Sequence, residues 1–131
     1  DCLWRVIEPD TTSVLEALRA RGLVLGVVSN ADGRIAGDLA RNGLGAYFGT
    51  IIDSHVVGVE KPDPAIFHLA LAALGVTSAE SLYVGDVFGL DVVGARRAGL
   101  DAVLLDRLGQ YPGIVDCRRI RALSELLDLP G

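Results

Sequence analysis

The order of segments along the chain predicts an α/β fold, a three-layer sandwich in which helices cover both faces of a mostly parallel sheet. Three observations carry this. Continuous Val/Ile/Leu-rich runs recur at 23–30, 49–55, 81–86 and 101–106, the pattern of strands buried on both faces. Segments of helical apolar spacing separate them, as in βα units. Finally, 131 residues with 50% hydrophobic and 22% charged side chains suffice for one core.

Taken in order, "LWRVI" (3–7) is a short strand or a linker. "PDTTSVLEALRARG" predicts a helix capped by Thr12 or Ser13, with Glu16 completing a capping box, Val14, Leu15 and Leu18 facing inward, and Gly22 as its stop. "LVLGVVSN" (23–30) is a buried strand with a polar exit. The next helix places Ile35 and Leu39 on one face and stops at Gly43. "GTIIDSH" (49–55) is a strand. In "VEKPDPAIFHLALAALG", Asp63 caps a helix whose first position is Pro64 and whose end is Gly75. "SLYVGD" (81–86), the helix "LDVVGARRAG", the strand "DAVLLD" (101–106) and a closing helix with Leu123, Leu126 and Leu127 inward complete the chain. No repeat or linker divides it. The expected organisation is one domain over 1–131: a replacement strand or linker in 1–10, the core in 11–106 and a closing segment in 107–131.

Composition excludes some functions. A net charge of −5 argues against nucleic-acid and anionic-membrane surfaces, which demand a basic excess to replace counterions. No apolar run approaches the roughly 20 residues that cross a bilayer. Cys2 and Cys117 lie near opposite ends without metal-type spacing, so they read as free thiols of a reducing, cytoplasmic protein. The chain contains no Met, so the expectation is that it does not begin where translation began.

In an open parallel sheet, ligands bind beyond the carboxyl ends of the strands. The informative polar residues fall there: Ser29 and Asn30 end one strand, Asp53 another and Asp86 a third, with Asp91 five positions on and Lys61 before a helix. Singly, Ser29–Asn30 is a strand-to-helix cap, Lys61 a solvated lysine and Asp91 or Asp86 a turn cap. Together, a hydroxyl, an ammonium and carboxylates suit a phosphoryl group with a divalent cation. His68 reads as a helix-face residue, and His55 lies near the rim.

These motifs and their order resemble the haloacid dehalogenase-like (HAD) hydrolases, particularly the phosphatase branch with a helical cap. "VLGVVSNADG" is similar to the family's second motif, "VGVEKPDPAIFHLAL" to its third and "YVGDVFGLDVVGARRAG" to its fourth, over Pro9 to about Asp106. The resemblance implies a Rossmann-like core, Ser29 and Lys61 as catalytic and phosphate-binding residues with Asn30 beside them, and Asp86 and Asp91 at a Mg²⁺ ion. It also implies a small phosphorylated substrate.

The family's first motif, Asp-x-Asp-x-Thr at the end of a central strand, is absent, and with it the nucleophile, the acid/base and the cap. Such a strand would lie between 23–30 and 81–86. Leaving that slot open would expose buried backbone groups at about 1–3 kcal/mol each. "LWRVI", a strand from another copy in a strand-exchanged homodimer, or another fragment of the parent protein could fill it. If "LWRVI" does, then Glu8, Asp10 and Thr12 stand where the missing Asp, Asp and Thr would be. Two functions follow: a phosphohydrolase core, weak or inactive alone, or a non-catalytic truncated domain acting through protein contacts.

Overall fold

In the computed structural model, residues 11–111 and 116–129 are described. Residues 3–7, with Glu8 and Asp10, lie outside them. Helix α1 (Thr11–Ala20) is followed by β1 (Gly26–Ser29), α2 (Ile35–Arg41), β2 (Thr50–Asp53), α3 (Ser54–Val57) and α4 (Pro64–Leu74). Then come β3 (Leu82–Gly85), a π-helical turn (Phe88–Val92), α5 (Val93–Arg97), β4 (Asp101–Leu105), β5 (Arg118–Ile120) and a 3₁₀ segment (Leu123–Asp128).

The strand pairs among the described residues are parallel. Among the described residues they form two sheets, β1-β2 and β3-β4-β5. β1 and β2 run in register from Gly26 opposite Thr50 to Ser29 opposite Asp53, so a hydroxyl and a carboxylate finish side by side. β3 pairs with β4 from Leu82 opposite Asp101 to Gly85 opposite Leu104.

The layers follow from the two-residue period of strands. Val28, Tyr83, Ala102 and Leu104 pack on Ile66, Phe67, Ala70 and Leu71 of α4 and Ala95 of α5. One helical layer thus spans both sheets. The alternate residues face the other way: Val27 meets Leu15, Ile35 and Leu39 of α1 and α2, while Val103, Leu105 and Ile120 meet Leu123, Leu126 and Leu129 of the closing segment.

Several expected boundaries move. The strand at 23–30 shortens because Leu23 and Val24 are more than half exposed and only Gly26–Ser29 is paired. The helix at 11 starts too early for Ser13 to cap it; Glu16 instead accepts a hydrogen bond from the Tyr47 hydroxyl at 3.0 Å. Thr12 lies exposed in its first turn. The closing helix is a 3₁₀ segment, and Leu129 rather than Leu127 joins the cluster beneath it. The helix after β3 is preceded by the π turn, and β5 was not expected from its "RRI".

The start of α4 is as expected: the Asp63 carboxylate accepts from Ala65 N–H at 2.9 Å, and Pro64 occupies a position needing no N–H. Its end at Gly75, with φ near +70°, uses a backbone state that other residues rarely adopt. Among the described residues no helix is long and apolar enough to cross a membrane.

Phe67, 1% exposed, sits where α4 joins the two sheets. Phe67→Ala is expected to cost about 3–5 kcal/mol, a large part of a domain's total. Urea unfolding checks this; an unchanged midpoint would show that α4 is not the common support.

Candidate phosphoryl-binding site

The site is built from the loops leaving β1, β2 and β3. The loop after β1 is fixed by β2's exit. Ala31 N–H donates to Ser54 Oγ at 3.0 Å, and Ser54 Oγ donates back to Ala31 O at 3.2 Å. The buried Asp53 carboxylate accepts from Gly33 N–H at 2.9 Å, Ile35 N–H at 3.4 Å and His55 N–H at 2.9 Å. It therefore satisfies orphan donors at the starts of α2 and α3 together.

Asn30 reaches the third-motif loop. Lys61 N–H donates to Asn30 Oδ1 at 2.8 Å, while Asn30 Nδ2 donates to Lys61 O at 3.1 Å. The Lys61 side chain then runs inward. Its Nζ donates to Asp91 Oδ1 at 2.6 Å and to the Tyr83 hydroxyl at 3.2 Å, and lies 5.6 Å from the Tyr83 ring centroid. Tyr83 donates its own proton to Val28 O at 2.9 Å, crossing from β3 to β1. Its ring stands edge-on to Phe67, with centroids 5.0 Å apart.

The pair is well sheltered, with the lysine side chain 11% and the aspartate side chain 3% exposed. At an effective dielectric of 20 their attraction is about 6 kcal/mol, comparable with the several kcal/mol each ion loses on leaving water. The contact therefore adds little net stability while both partners remain, yet losing either strands the other. Asp91 can approach this closely because Gly85 has no side chain: a Cβ there would lie 2.3 Å from Asp91 Cβ and Cγ. The second Asp91 oxygen accepts from Val87 N–H at 2.9 Å.

Tyr83 titrates well above the usual 10.0 because burial, then the Asp91 and Asp86 charges, oppose a phenolate. The hydroxyl therefore stays protonated and keeps donating to Val28.

Three of the expected residues touch, and the other two lie at the ends of the neighbouring strands. Asn30, Lys61 and Asp91 are in direct contact through Lys61, Ser29 precedes Asn30 at the end of β1, and Asp86 follows Gly85 at the end of β3. Lys61 also lines an open cleft of about 620 Å³ with Ser54, His55 and Glu60. His68 Nε2 lies 3.2 Å from Ala98 O, tying α4 to the end of α5.

Sequence reasoning missed Tyr83 and Gly85. The signals were there: a phenol within an apolar run, and a glycine directly before the acidic turn. Among the described residues no group of three or more His, Cys, Asp or Glu side chains converges on a metal position. Asp86 and Asp91 have the oxygen donors a hard cation prefers, but Asp91 spends both oxygens on Lys61 and Val87, so these residues alone do not complete a magnesium shell.

Two outcomes follow. Gly85→Ala must displace Asp91 and is expected to destabilise by about 1–3 kcal/mol, as overpacking does; unchanged urea unfolding would refute the close approach. Below pH 10 the Tyr83 phenol is protonated whether folded or not. Above it the unfolded chain ionises first, so stability falls until the folded value is passed, by up to about 1.4 kcal/mol per pH unit. In EDTA buffer, unfolding free energies between pH 9 and 11 should fall more steeply for the wild type than for Tyr83→Phe. Equal slopes would contradict the assigned environment.

Comparison with known proteins bears on the family and the fold. The sequence model of haloacid dehalogenase-like hydrolases matches residues 5–99. A haloacid dehalogenase-like hydrolase domain-containing protein 3 from Danio rerio is 38% identical over 98% of this chain and 52% of its own length. A phosphoserine phosphatase from Thermus thermophilus is 40% identical over 76% of this chain and 40% of its own. The crystal structure of a HAD phosphatase from Thermococcus onnurineus superposes with a TM-score of 0.87 at 36% identity, covering 93% of this chain and 57% of that one. The chain thus spans about half the length of these relatives. With the family model matched over residues 5–99 and the α/β sandwich shared with a solved phosphatase, the chain belongs to the haloacid dehalogenase-like hydrolase family.

Proposed function

We propose that this chain is the core of a Mg²⁺-dependent phosphate-monoester hydrolase acting on small phosphorylated molecules in the cytoplasm. The observation that carries the reading is the buried contact of Lys61 with Asp91 at the rim where Ser29 and Asp86 also end their strands. Ser29 and Lys61 would hold the phosphoryl oxygens as donors.

Charge supports the cation. The Lys61 ammonium is already paired with Asp91, and Asp86 brings a further carboxylate to the end of β3, so a phosphate dianion beside them would call for a dication. Asp86 would hold Mg²⁺, with Asp91 orienting Lys61 and supporting the metal's surroundings. Phosphatases among the relatives support phosphate monoesters as the substrate class.

The attacking carboxylate is not among the residues assigned here. Glu8 and Asp10 are the proposed stand-ins, and Glu8 carries an extra methylene that loses much of a near-attack geometry. Turnover by this chain alone is therefore expected to be weak.

The second reading is a non-catalytic domain acting through protein contacts, for which a strand from another copy between β1 and β3 is one route. Light scattering after size exclusion separates the two, since strand exchange predicts a dimer.

Hydrolysis of p-nitrophenyl phosphate at high protein concentration tests the first reading. Mg²⁺-dependent release is expected, with Lys61→Ala and Asp86→Asn each reducing it by about 100-fold. No release with Mg²⁺, or variants as active as wild type, would overturn it.

A further inference from the structure

We propose that Asn30 is a positioning residue that acts through Lys61, rather than a ligand of the phosphoryl group. The inference rests on the phosphate-binding reading of the rim. Its basis is the pairing of one carboxamide with both backbone groups of one residue, 31 positions away: Oδ1 receives the Lys61 N–H at 2.8 Å and Nδ2 gives to the Lys61 carbonyl at 3.1 Å. The two bonds also fix which end of the amide faces which group, since a flipped carboxamide would set donor against donor and acceptor against acceptor.

The loop needs such a clasp. Pro62 and Pro64 remove two of its backbone donors, so it cannot satisfy itself by a regular ladder. Asn30 is in turn anchored, because its neighbours Ala31 and Gly33 are held by Ser54 and Asp53. The Lys61 backbone is thereby fixed to the end of β1, while its ammonium is fixed to β3 and the following turn by Tyr83 and Asp91. Among the described residues, two of the three ammonium protons have acceptors. The direction in which the ammonium meets an incoming oxyanion is therefore set by what holds the other end of the side chain.

A double-mutant cycle on the full chain distinguishes positioning from contact. Affinity for inorganic phosphate is measured by calorimetry, with Mg²⁺ present, for wild type, Asn30→Ala, Lys61→Ala and the double variant. Positioning predicts that Asn30→Ala weakens binding about tenfold when Lys61 is present and less than about twofold when it is absent, the coupling of residues acting as one unit. Equal losses in both backgrounds would mean direct contact and would overturn the proposal.

Amide hydrogen exchange supplies a second readout. The Lys61 amide should be protected in the wild type and exchange about tenfold faster or more in Asn30→Ala. Should that variant fail to fold, Asn30→Asp retains the acceptor and is expected to keep the protection. An unprotected Lys61 amide in the wild type would also overturn the proposal. A protected amide with no phosphate binding would instead defeat the reading of the site and leave the clasp standing.

Discussion

The contact between Lys61 and Asp91 is the constraint around which the rest is arranged. Two charges 30 residues apart in sequence are brought to 2.6 Å in a sheltered place, where neither could remain alone. Every neighbour serves that meeting. Gly85 yields the space for the carboxylate, the Val87 amide holds its second oxygen, and Tyr83 offers the lysine a further acceptor. The π turn at Phe88–Val92 places Asp91 inward, where a polar surface turn would have left it in water.

The fold delivers these groups by economy of connection. Parallel strands end in the same direction, and the loop after β1 is tied to the end of β2 and the start of α3 by Asp53 and Ser54. Asp53 is instructive because its position at a strand end suggested a part in chemistry. Its oxygens are instead spent on three backbone amides, so it supports the loop that carries Asn30 without joining the reacting groups. Helix α4 then completes the arrangement from beneath, since Phe67 touches the ring that touches the lysine.

Much of this was legible in the residues alone. Continuous apolar runs announced buried parallel strands, and Asp63-Pro64 announced the start of α4, because both signals are local. The order of Ser29, Lys61, Asp86 and Asp91 marked the rim because loops after parallel strands share one end of the sheet. What escaped notice depends on distant neighbours. The early start of α1, the shortened β1 and the weak "RRI" strand are settled by packing that a short window does not contain. Tyr83 passed unremarked within an apolar run; only the location of Val28 O and Lys61 Nζ gives its hydroxyl a task. The pairing of Asn30 with the Lys61 backbone is likewise invisible until two loops are seen together.

The bond from Tyr83 to the Val28 carbonyl has one more consequence. Because the phenol ring is rigid and its hydroxyl serves Val28 and Lys61 at once, a shift of one sheet against the other is felt at the ammonium through a single oxygen atom.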